Sequence, residues 1–354
     1  MAEPNNNTEA QRNEQEVKAA PSKESINPQM ADEKVDTKPK SKIGAFIGGN
    51  LCILTATIFW GINVSFTKAL IPEWMTSEGI SAVRLVGGAI LFWIGSIFVK
   101  NAKIDSGDWK KIIAGGVFGL FGFIWLFVMS LKFASAIDVS IIMTLPPTFV
   151  ILIGVIFLKQ RPSLLEYLGI IIGLAGAVTV ILGSGAGGKE GSDNILGDCL
   201  AILSCICYAS YLVILEGPTK KYHPMTLLRW VFGFAALPGA FLLIGFDRQP
   251  ILHTHEAEPW LLISFILVCV TFIAYFLVQP AIKSIGSELV SLYQYLLPVF
   301  ATITAVIMKI DKLHWIQVIA MAIIVVGMVL VNIGKKRRNN AAGQQPAKPI
   351  EGQG

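Results

Sequence analysis

Long apolar runs recur along the chain between short polar connections. A hydrocarbon slab about 30 Å thick needs about 20 helical residues, each rising about 1.5 Å. Ten runs approach that length, over residues 45–68, 79–99, 111–131, 137–158, 164–183, 195–215, 224–245, 259–281, 286–308 and 313–333. Backbone amides have no water to bond to inside lipid, so runs of this kind read as helices. The pattern predicts an all-α polytopic membrane protein with ten transmembrane helices.

The apolar pattern also repeats. Residues 109–183 slide onto 260–334 by 151 positions without a gap and match at 18 of 75 pairs. Trp109 meets Trp260, Lys132 meets Lys283, Ser140 meets Ser291, Pro147 meets Pro298 and Gly176 meets Gly327. A shift of 145 brings Arg84 onto Arg229, and a shift of 148 brings Trp60 onto Tyr208. Each half holds five crossings. Five is odd, so the second half enters the membrane from the opposite side, as an inverted repeat. The expected organisation is a disordered cytoplasmic tail (1–43), a first repeat (44–184), a joint (185–194), a second repeat (195–334) and a basic, disordered cytoplasmic tail (335–354).

Composition agrees with the pattern: 53% of residues are hydrophobic and 15% charged, against about a quarter charged in a soluble domain. The first 43 residues mix both charge signs and lack aromatics, too polar to offset chain entropy by burial. With the N-terminus placed inside, the connections and tails on that face hold sixteen Lys and Arg and those on the other face six. Both termini are therefore expected in the cytoplasm, with the chain in the cell membrane. The five cysteines all lie in apolar runs with no C-x-x-C pair, so neither a disulfide framework nor a zinc site is expected.

At this point the chain resembles ten-helix, EamA-type members of the drug/metabolite transporter superfamily. The likeness is carried by "FWGINVSF" in helix 1, by Arg84, by "SLKFASAIDVSIIMTLPPTFVILIGVIFLKQRPSLLEYLGIIIGLAGAVTVIL" through helices 3 to 5, and by "AIKSIGSELVSLYQYLLPVFATITAVIMKIDKLHWIQVIAMAIIVVGMVLV" in the second half. It covers residues 45–334. The resemblance implies ATP-independent movement of small metabolites, often amino acids, with export the favoured sense. One position departs: the family usually has Glu just after helix 4, where this chain has Gln160, while the equivalent Asp311 keeps the acid.

Two embedded cations stand out, Arg84 in "SAVRLVGGA" and Arg229 in "LLRWVFGFA". Arg84 falls about 7.5 Å inside its span, and Arg229 at a similar depth from the opposite face. Such a cation needs water or a partner. Asp138 begins helix 4 and Glu288 begins helix 9, which suggests two mirror-related gating pairs, Arg84–Asp138 and Arg229–Glu288. The register is imperfect, since Asp138 aligns with Leu289. The competing reading has both arginines snorkel to the interface.

Pro147 and Pro298 fall near the middle of helices 4 and 9 and should kink them, freeing the carbonyls of Met143 and Gln294. Interrupted backbone at membrane depth belongs where it faces protein or a wet cavity. Around that level lie Trp60, Asn63, Trp125, Tyr208, Tyr211, Tyr275, Gln279, Tyr293 and Gln294. Neutral hydrogen-bonding groups and ring faces suit a small, partly apolar solute.

Other features carry less. "GSGAGGK" (183–189) fits the spacing of a phosphate loop, but Glu190 stands where Ser or Thr is needed, and no strand precedes it. "HTHEAE" (253–258) reads as a solvated loop. Glycines at 115, 116, 119, 122, 169, 173 and 176 serve internal packing or a homodimer face. No mid-span carboxylate and no mid-span His is present, which argues against an embedded enzyme. The expected partners are the bilayer and a small solute, with no nucleic acid, metal or cofactor. The alternatives are a nucleotide-sugar carrier, which would want more cavity cations, or a non-transporting scaffold or receptor.

Overall fold

The computed structural model describes residues 42–100, 102–158, 162–184 and 191–343. The segment before Lys42, Gln160 with its neighbours, the joint at 185–190, the side chain of Glu288 and the tail after Gly343 lie outside the described residues. Every regular element among those residues is helical. Helix α1 is Lys42–Leu70, α2 is Ser77–Ile97, α3 is Ser106–Phe133, α4 has two pieces, Ala136–Ile142 and Pro146–Leu158, and α5 is Leu164–Ser184. Helix α6 is Gly191–Lys221 and α7 is Pro224–Phe241. Helix α8 runs from Ala257 through Tyr293, α9 is Gln294–Ile307 and α10 is Trp315–Gly343. Among the described residues, eight helices are long and apolar enough to cross a membrane. Helix α9 is a shorter apolar helix, and α7, which contains Pro238, is outside the eight. Large apolar side chains such as Ile97, Phe118, Leu182 and Ile307 are left exposed, as lipid-facing positions require. The chain is a polytopic, all-α membrane protein.

Several boundaries differ from the sequence-based expectation. Helix α8 continues across 282–285, where a connection was expected. The equivalent stretch in the first half ends at Phe133, and Ser135 then caps the next piece by accepting from the Asp138 N–H at 3.0 Å. Position 286, the equivalent of Ser135, is glycine and offers no capping side chain. Helix α10 continues past Lys335 to Gly343, because "KKRRNNAAG" has no proline and its cations lie toward a helix C-terminus. The prolines do not kink helix interiors. Pro147 and Pro298 each stand second in a new piece, Pro146–Leu158 and Leu297–Ile307, where the missing N–H is an orphan in any case. The breaks lie just before them, at Met143–Leu145 and in the tight turn Gln294–Leu296.

The halves pack in an exchanged pattern. Helix α1 lies against α8 and α9, as α6 lies against α3 and α4; α7 meets α3, as α2 meets α8; α5 meets α10, and α2 meets α7. Exchanging the two halves maps this list onto itself. Widened, π-type turns obey the same relation: under the 151-residue shift Gly115–Phe121 in α3 and Ile266–Ile273 in α8 start together and end one residue apart. A third, Val83–Gly87 in α2, has no counterpart in α7. The α5–α10 contact is backbone on backbone, since a Cβ added at Gly327 would stand 2.5 Å from the Gly173 nitrogen and 2.7 Å from the Gly169 oxygen. The glycines of α3 likewise face α6 and α7, so both glycine sets are used within the chain.

Candidate functional site

A narrow, open-mouthed cavity, with about 40 Å³ of room for the centre of a water-sized sphere, lies where the two halves meet. Its walls include three pairs of positions related by the repeat: Trp60 with Tyr208, Met143 with Gln294, and Pro146 with Leu297. The last two pairs belong to the breaks in α4 and α9. Interrupted backbone from both halves thus converges on one space, although the Gln294 carbonyl is not freed as expected, since it accepts from the Leu297 N–H in the tight turn. Asn63, Val64, Arg84, Phe123 and Phe127 complete the lining.

Five of the polar, aromatic and break positions singled out in the sequence reach the wall: Trp60, Asn63, Met143, Tyr208 and Gln294. Others form a layer behind it. Tyr211 stacks on Tyr208 at 5.8 Å, and Tyr275 stands edge-on to Trp60 at 5.9 Å. Trp125 stacks on Phe121 at 5.7 Å. The Trp125 indole N–H, the Tyr275 hydroxyl and the Gln279 side-chain oxygen are buried without hydrogen-bond partners. Tyr293 is elsewhere: its hydroxyl donates to Asn50 Oδ1 at 2.7 Å, near the start of α1. Pro147 and Pro298 begin helix pieces and are absent from the wall.

Arg84 also lines the wall, with a partner other than the one expected from the sequence. It is 2% exposed, and its Nε donates to Thr271 Oγ1 at 3.3 Å. That hydroxyl donates in turn to the carbonyl of Ile266, five residues back, at 2.9 Å. The π-type turn of α8 supplies this geometry, because it turns a carbonyl out of the ordinary ladder. The guanidinium carbon lies 5.8 Å from the Phe127 ring centre, and Nη1 is buried with no hydrogen-bond partner. The widened turn Val83–Gly87 carries Arg84. Gly87 and Gly88 let α2 come this close, since a Cβ at Gly88 would stand 2.9 Å from both Phe232 and Thr271.

The expected Arg84–Asp138 pair takes another form, while the Arg229–Glu288 pair rests on a side chain outside the described residues. Asp138 Oδ1 accepts from Gln317 Nε2 at 2.8 Å, and the Ile137 N–H donates to Asp311 Oδ2 at 3.3 Å. The start of α4 is therefore tied to α10 and to the α9–α10 connection, while Arg84 turns to Thr271. An Arg84–Asp138 ion pair is absent among the described residues. Arg229 lies in regular helix with its guanidinium 5.3 Å from the ring centres of both Trp93 and Trp230. This is the aromatic setting of a snorkelling cation. Arg84 and Arg229 are equivalent in sequence and different in surroundings. Phe232 and Gly233 stand in α7 where α2 has Gly87 and Gly88, so the larger side chain replaces one of the two glycines beside the arginine.

Both ends of the bundle carry ties between the halves. At one, Gln249 bonds Thr76 twice, accepting the backbone N–H at 2.8 Å and donating to the hydroxyl at 2.9 Å. At the other, Asp108 Oδ2 accepts from Lys221 at 2.8 Å and from the Tyr222 hydroxyl at 2.7 Å, and Asp105 also binds Lys221. Glu166, fully buried, caps its own helix through Ser163 and meets Arg338 at 3.0 Å. Among the described residues, no group of three or more His, Cys, Asp or Glu is placed to hold a metal ion.

Comparison with known proteins agrees with this architecture. The model of the EamA-like transporter family matches twice, over residues 47–182 and 195–333. The chain is 29% identical over 291 residues to an uncharacterized transporter of Archaeoglobus fulgidus, covering 79% of this chain and 96% of that one. It is 24% identical over 290 residues to the uncharacterized transporter YyaM of Bacillus subtilis, covering 79% and 92%. A second Archaeoglobus fulgidus transporter matches at 27% over 185 residues, 52% of this chain and 63% of that protein. A solved crystal structure shares the fold with a TM-score of 0.57 at 19% identity, covering 81% of this chain and 98% of that one. Two family matches that together span most of the chain place it in the EamA-like transporter family, and it is a membrane transporter.

Proposed function

We propose that the protein is a secondary transporter of small organic metabolites, such as amino acids or related amphipathic solutes, working by alternating access. One observation carries this reading: a cavity at the junction of the halves is lined by equivalent positions of both, including the two helix breaks. If the halves rock about that junction, a solute held there is offered to each face in turn. The ties at the two ends, Thr76–Gln249 and Asp108–Lys221, join one half to the other and would part in alternation. The wall is mostly apolar, with four aromatic rings and a few neutral polar groups, which suits a solute with an apolar body. It lacks the cation cluster that a nucleotide-sugar phosphate would require. The absence of a nucleophile with its base on the wall favours transport over embedded catalysis.

Counterflow in proteoliposomes tests the reading. Vesicles loaded with a mixed small-metabolite extract should accumulate labelled solute of the right class, with no ATP present. Absence of exchange for every amino acid, organic acid and amine tried would contradict it.

A further inference from the structure

We propose that Arg84 is the anchor for a carboxylate in the cavity, so that the solute is a small monocarboxylate with a flat apolar body; the inference rests on the transport reading for its physiological meaning but not for its test. The guanidinium is buried at 2% exposure and lines the wall. Thr271 fixes its Nε side, since the threonine hydroxyl spends its proton on Ile266 and has only a lone pair to offer. Phe127 covers one region of its face. Nη1 is left buried and unpartnered, although a guanidinium in such a place strongly favours charge-assisted bonds.

No side chain on the wall is anionic: the polar members besides Arg84 are Asn63, Gln294, Trp60 and Tyr208. A carboxylate from solution would therefore supply the missing charge and the missing acceptor together. The number of cations limits the ligand. Arg229, the equivalent arginine, faces Trp93 and Trp230, so the wall offers one positive charge and matches one negative charge. That disfavours phosphate esters and dicarboxylates. The position of the cation gives the solute a direction, with its charged end toward α2 and its body among Trp60, Phe123 and Tyr208. An amino group is compatible with this arrangement, because Gln294 Oε1 is a buried acceptor with no partner.

The test compares acids with uncharged or carboxylate-free isosteres on full-length protein in nanodiscs. Phenylacetate is set against 2-phenylethanol, and phenylalanine against phenylalaninamide, with binding read by thermal shift across a concentration series. A charge-assisted bond strong enough to orient a ligand should give the acids an advantage of about tenfold or more in Kd. Arg84→Gln should erase that advantage, and Arg84→Lys should retain part of it. Preference for phenylacetate alone, or for both acids, distinguishes a simple acid from an amino acid as the ligand, and either result supports the anchor. Equal binding of acid and isostere by the wild type, no binding of either acid, or an acid preference that survives in Arg84→Gln would overturn it. The wild-type comparison stands even if a variant misfolds. Counterflow of solutes that lack a carboxylate would leave the transport reading intact and remove the anchor. Arg84-dependent acid binding without any counterflow would do the reverse.

Discussion

At the scale of single residues, the wall depends on a few buried polar atoms whose partners are specified one by one. Thr271 is the clearest case, because its hydroxyl both closes the widened turn on Ile266 and receives Arg84. Thr271→Val keeps the shape and removes both bonds. Leaving buried groups unpaired costs about 1–3 kcal/mol, so thermal unfolding in detergent should move down, and Thr271→Ser should restore it. Gln317→Leu should act in the same direction at the far end of α4, by withdrawing a donor from the 5%-exposed Asp138. Its effect should be on thermal stability, with acid binding in the cavity unchanged. The sequence revealed that Arg84 and Arg229 are copies of one position, and it also suggested the wrong partner for Arg84. Hydropathy spacing assumes a regular helix, and the widened turn at Val83–Gly87 rotates the side chain away from where that spacing puts it.

At the scale of helices, glycine placement decides which pairs can touch. Gly327 and Gly173 both lie at the α5–α10 crossing, yet they make opposite predictions. A Cβ at Gly327 meets backbone atoms that cannot turn aside, so Gly327→Ala should destabilise by about 1–3 kcal/mol. At Gly173 the nearest atom to a Cβ is Thr148 Oγ1 at 3.7 Å, ordinary contact, so Gly173→Ala should be neutral or slightly stabilising. Paired unfolding curves of the two variants check this, and similar losses in both would contradict the packing. Much at this scale was legible beforehand. The level of the two helix breaks followed from Pro147 and Pro298, and the 151-residue shift also relates the widened turns of α3 and α8. Their location was not legible, because a π-type turn carries no marker like the N–H that proline lacks. The fusion of α8 across 282–285 turned on one capping residue, Ser135 against Gly286, a signal weaker than the hydrophobic pattern around it.

At the scale of the whole molecule, the exchanged packing of two related halves is what gives the cavity its position. Alternating access requires the ties at the two ends to be temporary. A disulfide formed across Thr76→Cys and Gln249→Cys, whose native side chains lie 2.9 Å apart, should hold that end shut. Exchange in proteoliposomes should then stop and should return on reduction. Exchange at the wild-type rate through the cross-linked protein would contradict rocking of the halves. The all-helical membrane fold and the duplication were readable because hydropathy and a gapless repeat survive in the sequence, although among the described residues eight of the ten expected spans are long and apolar enough to cross. The cavity's single cation was not readable, because Arg84 and Arg229 are equivalent in the sequence and only the structure sets one beside Thr271 and the other beside Trp93 and Trp230.

The central claim is that the halves share one fold and enter the membrane in opposite senses. It is tested most directly by single cysteines in equivalent connections, Lys103→Cys between α2 and α3 and Arg248→Cys between α7 and α8, both exposed positions. With the five native cysteines replaced, each variant is treated with a membrane-impermeant maleimide in sealed vesicles of known orientation. The account predicts that one position labels from one face only and the other from the opposite face only. Labelling of both from the same face would contradict it.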